Sequence, residues 1–409
     1  MMIFNVIAGG TGNQMFEYAM IRSMAYDLDI DFSMCLVFYK VPNFILKKFF
    51  WDQQKHDRYS MNHFNIKENF ISTFEFSKLL ISGKIGHGTS IICEWEDFEN
   101  FSLKNDISAD DDILIRGGFM NENYFKHNHE LIRNDFEVKI PPSERNKQLI
   151  DEISSSNSVA LCIRRGDRLN PYSKLGHGIC TLDYFKRAID IINEKVENPV
   201  FYVFSNDAKW VRENIRIDSH VVYVDHNGVD EDYEDLRLMT HCKHLIISNS
   251  TFHWWGAWLN LNNDKVVIAP EPWEGTYNYD TGLDDWVKCK CDRSELYNQS
   301  STPVFENENI VFNPMDKIRL TNSIGLLKGV FLENDMVMKL TINSEKEGDL
   351  RITAKNVQPS VPIKFFRGES VRYIVFDKSV PLSSVMFKNI SDGHVDINVG
   401  AKLIDKLFY

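Results

Sequence analysis

Apolar residues along this chain come in two textures, and the change falls near residue 303. Before it, short apolar runs alternate with longer stretches of helical period. Residues 3–8 read as a buried strand and Gly9-Gly10-Thr11-Gly12-Asn13-Gln14 as a tight loop. Met15 to Asp27 reads as a helix, because Met15, Tyr18, Ala19, Ile21, Met24 and Ala25 recur at helical spacing. Strand, glycine loop and helix open a Rossmann-like unit. Residues 31–110 have mixed periods, and Ile113 to Phe119 gives another strand and loop. Pro141-Pro142 is the expected hinge.

Beyond it the alternation resumes. Val159–Ile163 is an apolar strand, Thr181 an N-cap for a helix to about Asn193, and Val200–Phe204 a strand running into Ser205-Asn206-Asp207. His220–Val224 is a strand, Tyr233–Cys242 a helix, Leu245–Ile247 a strand, Thr251–Leu261 a helix and Lys265–Ala269 a strand. Such alternation predicts parallel sheet with helices on both faces, here as two lobes with a cleft between them. After residue 303 the runs Met336–Ile342, Leu350–Thr353, Val371–Phe376, Val385–Phe387 and Val395–Val399 are short, several alternate, and Gly, Asp, Asn and Pro separate them. That texture predicts an all-β, sandwich-like module. The expected domains are therefore 1–142, 143–302 and 303–409.

Composition narrows the function. The chain has 409 residues, 43% of them hydrophobic and 25% charged, with a net charge of -12. Such a balance argues against nucleic acid as partner, while a local basic cluster still suffices for a small anion. An odd count of seven cysteines in a long chain argues against a disulfide scaffold. Cys289-Lys290-Cys291 lacks the second pair a zinc site needs. No run of 18 apolar residues and no secretory leader is visible, so a cytoplasmic location is expected, with peripheral association at the inner membrane face compatible with it. Asp110-Asp111-Asp112 and Asp230-Glu231-Asp232 read as solvated acidic loops rather than metal ligands.

Two segments carry chemistry. Cys162-Ile163-Arg164-Arg165-Gly166-Asp167 lies at the carboxyl end of a buried strand, where ligands of open α/β sheets bind. Adjacent arginines there suit a diphosphate, and Gly166 permits the turn. The alternative is a surface turn with an Arg–Asp ion pair. Ser248-Asn249-Ser250-Thr251 lies between a strand and a helix, where amides and hydroxyls favour anions. For Ser250 and Thr251 the alternative is plain N-capping, and for Trp254, Trp255 and Trp258 it is core packing. Cys180 reads as packing.

These segments resemble the bacterial α-1,2-fucosyltransferases over roughly residues 3–275. Gly9–Phe16 is similar to their GGLGNQMF, Cys162–Asp167 to HxRRGD, His177–Tyr184 to HGVCSLDY, and Leu238–Trp258 to LMSxCKHxIIxNSxFSWWGAW. The resemblance implies a GT-B fold of two Rossmann-like lobes. It implies inverting transfer from GDP-fucose to the 2-hydroxyl of a terminal galactose, on an oligosaccharide or lipid-linked glycan of O-antigen type. It implies no metal and no cofactor. It gives Arg164 to the β-phosphate, where the pairing of the two arginines adds Arg165 to the diphosphate, and it gives Asp235 to guanine, Ser250 and Thr251 to phosphate, and Asn13 and Gln14 to a cleft-facing position. The acceptor hydroxyl needs a base, for which Asp167 comes first and His177 second. Cys162 stands where the family has His, Thr11 where it has Leu, His253 where it has Ser and Arg168 where it has Tyr. The tail is not covered by the resemblance.

Overall fold

The structure is a computed structural model. It describes residues 2–40, 58–85, 91–93, 112–169, 177–273 and 282–293, together with strand segments between 302 and 403. The chain divides into two compact units, one of residues 1–160, 224–245 and 250–265, the other of 161–223, 246–249 and 266–409.

The first unit is built on a five-stranded sheet of β1 (Met2–Val6), β2 (Asp31–Cys35), β3 (Phe70–Ile71), β4 (Ile91–Cys93) and β5 (Ile113–Arg116), in the order β3-β2-β1-β5-β4. Every neighbouring pair is parallel. The order reverses between β1 and β5, so the glycine loop leaves β1 at a topological switch point. The helix after it spans Thr11–Leu28, four residues longer at its start than the apolar period predicts. Gly12 therefore lies in the first turn and not in a loop. A Cβ there would collide with the backbone of Thr251 and Phe252, so glycine is required by close helix packing.

The same unit holds helices Glu144–Ser155, Asp232–His241 and Thr251–Leu259. Ser143 caps the first of these, accepting from the Asn146 amide at 3.2 Å. Aromatic rings fill the core. Phe16 meets Trp254 at 4.6 Å and Trp255 at 4.9 Å between centroids, and Phe125 stacks on Trp255 at 5.4 Å. Trp254 and Trp255 are fully buried, and their polar neighbours are satisfied: Trp255 Nε1 donates to the Gly12 carbonyl at 3.0 Å, and Trp258 Nε1 to Glu122 Oε2 at 3.0 Å. Of the two readings of the tryptophans, core packing is the one the structure holds.

A six-stranded sheet carries the second unit. Its strands are β6 (Asn157–Ile163), β7 (Pro199–Ser205), β8 (Val221–Val224), β9 (His244–Ile247), β10 (Val267–Glu271) and β11 (Val287–Lys290), in the order β11-β10-β9-β6-β7-β8. The chain lays β6, β7 and β8 outward on one side, then returns to lay β9, β10 and β11 on the other. β6 and β9 thus flank the switch point. Helix Leu182–Lys195 begins at Thr181, whose hydroxyl accepts from the Tyr184 amide at 3.4 Å, as the sequence predicts. Tyr184 is fully buried and donates its hydroxyl to the Ile247 carbonyl at 2.5 Å, fixing that helix to the end of β9.

In the tail, Thr302–Phe312, Val395–Leu403, Met336–Ser344 and Gly368–Val375 form one antiparallel sheet in that order. Lys317–Arg319, Met386–Asn389, Gly348–Thr353 and Pro362–Phe365 form another.

Candidate functional site

In the second unit the switch point is closed by one serine. Ser248, fully buried just past β9, accepts from the Arg164 amide at 3.0 Å and donates its own amide to the Cys162 carbonyl at 3.1 Å. The first residue beyond β6 is thereby tied to the first beyond β9. Arg164 is half-buried there, at the carboxyl ends of both strands. Cys162 itself is fully buried within β6.

Arg165 points to a different set of groups. Its guanidinium lies 3.9 Å over the Trp210 ring, and its Nε is 3.4 Å from Asp207 Oδ2. Burial lowers its pKa, opposed by the Asp207 charge. Asn206 Oδ1 accepts from the Arg165 amide at 2.8 Å and from the Gly166 amide at 3.1 Å. A Cβ on Gly166 would sit 3.2 Å from Asn206 Nδ2, so glycine serves this close approach. An Arg–Asp ion pair is thus present beside this turn, with Asp207 as the observed partner of Arg165. The Asp167 side chain lies outside the described residues, as do residues 170–176.

His177 is placed by its backbone. Asn249, 2% exposed, donates Nδ2 to the His177 carbonyl at 2.8 Å and to the Gly178 carbonyl at 3.1 Å, and its Oδ1 accepts from Cys180 Sγ at 3.5 Å. Arg293 adds Nε to the Ile179 carbonyl at 3.1 Å. Cys180 is thus a buried packing residue with a weak hydrogen bond. Ser248 and Asn249 fall within the anion-favouring stretch read from the sequence, but only Ser250 and Thr251 are given individual roles there. Their signal was position: two short polar residues at the exit of a buried strand.

In the first unit, Thr251 Oγ1 donates to Asn13 Oδ1 at 2.7 Å, bringing two of the expected ligand residues together. Ser250 is fully buried at the N-cap position, but its side chain makes no capping bond; its carbonyl accepts from the Trp254 amide at 2.9 Å. Gln14 departs from expectation. It is fully buried, its Nε2 donates to the Gly9 and Arg58 carbonyls at 3.0 Å each, and its Oε1 accepts from the Ser60 amide at 2.9 Å. An amide so occupied braces backbone and does not face open space.

Asp235 is half-buried on helix Asp232–His241, and its Oδ1 accepts from Asn227 Nδ2 at 2.7 Å. Burial pushes its carboxyl up to about 7, against the pull of that hydrogen bond, with Asp232, Glu234 and Glu231 adding to the rise. The neighbouring acidic loop is only partly solvated. Asp230 is exposed, but Asp232 accepts from Thr11 Oγ1 at 2.5 Å and pairs with Arg58 at 2.8 Å. Among the described residues, no group of three or more His, Cys, Asp or Glu side chains is arranged to hold a metal ion. No helix among them is long and apolar enough to cross a membrane.

Residues 2–288 match the sequence profile of glycosyl transferase family 11. An alpha-1,2-colitosyltransferase of Escherichia coli is 30% identical over 295 residues, spanning 69% of this chain and 97% of that protein. The O-antigen biosynthesis glycosyltransferase WbnK of Escherichia coli is 27% identical over 312 residues, 70% of this chain and 99% of its own. The galactoside alpha-(1,2)-fucosyltransferase 1 of Leontocebus fuscicollis is 28% identical over 187 residues, 43% of this chain and 51% of its own.

Proposed function

Because this chain belongs to glycosyl transferase family 11, we propose that it moves L-fucose, with inversion, from GDP-fucose to the 2-hydroxyl of a terminal galactose. The glycan is of O-antigen type, assembled on the cytoplasmic side of a membrane. One observation carries the reading: Arg164 is tied to Ser248 where β6 and β9 flank the switch point. Open α/β sheets bind ligands there, and a guanidinium at that spot suits a diphosphate.

The chemistry follows from that placement. The acceptor oxygen attacks C1 of the sugar. The bond from C1 to the phosphate oxygen breaks, and its electron pair leaves with GDP. Charge on the departing phosphate grows in the transition state, so a fixed cation beside it lowers the barrier. A preorganised donor of this kind matters by roughly a hundred- to a thousand-fold. The proton of the acceptor hydroxyl passes to a base, Asp167 or His177. Asp235 reads guanine, while Ser250, Thr251 and Asn13 attend the donor. No metal or cofactor takes part, so turnover persists in excess EDTA. The plan is of GT-B type, and residues 303–409 form an accessory β-sandwich without a catalytic group.

A colitosyl donor is the second reading. It is favoured by the span of the colitosyltransferase alignment, 97% of that relative against 51% of the galactoside fucosyltransferase. Incubation with a panel of nucleotide sugars and galactosides, read by mass and linkage analysis, separates the two. A fucosylated product linked at galactose O2 supports the first. Transfer from another sugar nucleotide alone contradicts it.

A further inference from the structure

Asp235 stands at the end of a one-way chain of hydrogen bonds inside the first unit. His226 Nε2 lies 2.6 Å from Asn146 Oδ1. Asn146 Nδ2 donates to Asn227 Oδ1 at 3.0 Å and to Glu234 Oε2 at 3.0 Å. Asn227 Nδ2 then donates to Asp235 Oδ1 at 2.7 Å. With Glu234 and Asp235 ionised, for Asp235 above about pH 7, the two carboxylates fix the direction. An ionised carboxylate only accepts, so Glu234 and Asp235 each require an N–H. Each asparagine must therefore turn its oxygen the other way, and His226 must donate from Nε2. Burial lowers the His226 pKa, with Arg145 adding to it and Asp225 and Glu231 opposing, and the ring can donate from Nε2 in either protonation state. Asn146 is 1% exposed, so water does not compete at the middle of the chain. Arg237, 3.3 Å from Glu234, holds the branch.

We propose that Asn146 and Asn227 are positioning residues for base selection, holding the Asp235 carboxylate in one orientation toward the donor edge of guanine. The proposal rests on the reading of Asp235 as the base-contacting residue. Guanine presents two adjacent donors, N1–H and the 2-amino group. Adenine presents its 6-amino donor next to N1, an acceptor. A carboxylate free to turn can accept from the adenine amine and swing away from N1. One pinned by Asn227 keeps an oxygen facing N1, where two acceptors repel. Oδ1 retains a second lone pair, so the pin does not exclude guanine. Rigidity is thus what converts a carboxylate into a discriminator.

The test is calorimetric titration of the full-length protein with GDP, ADP and inorganic pyrophosphate. In Asn227→Ala the preference for GDP over ADP falls about tenfold, the scale of one hydrogen bond to a charged group, while pyrophosphate affinity is unchanged. Asn227→Asp, which sets acceptor against acceptor, loses at least as much. Asn146→Ala behaves like Asn227→Ala. Because Asn146 is buried and its loss also strains the fold, the half-buried Asn227 is decisive. A folded Asn227→Ala protein with the wild-type ratio overturns the proposal, as does equal weakening of all three ligands. Asp235→Ala separates the two levels. If it abolishes the preference while Asn227→Ala keeps it, the relay alone is wrong. If Asp235→Ala keeps the preference, the base-contact reading is wrong and the relay falls with it.

Discussion

The Arg164 amide donates to the Ser248 hydroxyl at 3.0 Å, and Ser248 returns its own amide to the strand that Arg164 leaves. One fully buried hydroxyl therefore sets where the Arg164 backbone exits β6. Ser248→Ala leaves the half-buried Arg164 N–H without this acceptor, at a cost to stability of about 1 kcal/mol. Denaturant unfolding should show that loss. Steady-state kinetics should show kcat reduced by roughly tenfold, on the scale of a displaced charge-assisted contact. Unchanged kcat in a folded variant would mean that Arg164 does not depend on this tie.

Asp207 has two duties that substitution can separate. Its side chain caps helix Ala208–Asn214, accepting from the Trp210 amide at 3.2 Å, and it faces the Arg165 guanidinium. Asp207→Asn keeps a capping oxygen and removes the charge. Asp207→Ala removes both, so it should be less stable than Asp207→Asn by about 1 kcal/mol in urea unfolding. Both should lower kcat by less than Arg164→Lys does, since Arg165 braces the loop. Equal stability of the two variants would remove the cap from the account.

The raised carboxyl of Asp235 gives a pH dependence with a definite sign. A folded-state pKa of about 7 lies above the ordinary value, so the native chain binds this proton more tightly than the unfolded chain. Raising the pH from about 4 to 7 therefore costs stability at this residue. Asp235→Asn should melt higher than wild type at pH 8 and lose that advantage near pH 4. Binding runs the other way. Guanine donors need the ionised form, so GDP affinity should rise through about pH 7 and level off above it. Titrations from pH 5.5 to 8.5, with Asp235→Asn as the control for phosphate ionisation, check both. A wild-type profile parallel to that of Asp235→Asn contradicts the assignment.

Gly12 tests the packing of the first unit. Any side chain there meets the Thr251 and Phe252 backbone, and it also disturbs the carbonyl that receives Trp255 Nε1. Gly12→Ala should cost about 1–3 kcal/mol by overpacking, despite alanine's better helix propensity. Thermal unfolding that is unchanged or improved would show that the two helices separate at no cost.

Much of this was legible in the sequence, and what was not has physical causes. The apolar runs around β1, β6, β7 and β9 are each buried and short, so their strands stood out. The start of the first long helix was hidden because Gly10, Gly12 and Asn13 have poor helix propensity; packing against Thr251 and Phe252 overrides it. Helix Glu144–Ser155 was missed because only Asn146, Leu149 and Ile153 are buried, too sparse a stripe to show a period. Helix Ala208–Asn214 buries Val211 alone. At the site, the arginine pair was visible from its place after β6. The partners of Arg165 and Gln14 were not, because Asp207, Trp210, Ser60 and the Arg58 carbonyl lie more than 40 residues away along the chain. Spacing within a motif cannot reveal such partners.

The central claim is that Arg164 stabilises charge on a departing nucleoside diphosphate, and lysine is its sharpest test. Lysine keeps the charge and loses the planar fork that holds two phosphate oxygens at once. A contact that strengthens as the bond breaks acts on turnover more than on ground-state binding. The measurement is kcat for transfer from GDP-fucose by Arg164→Lys, with the GDP-fucose Kd taken on the same folded protein. The account predicts a kcat lower by roughly a hundredfold or more, and a Kd changed by much less. Near-normal turnover, or a loss confined to Kd, would contradict it.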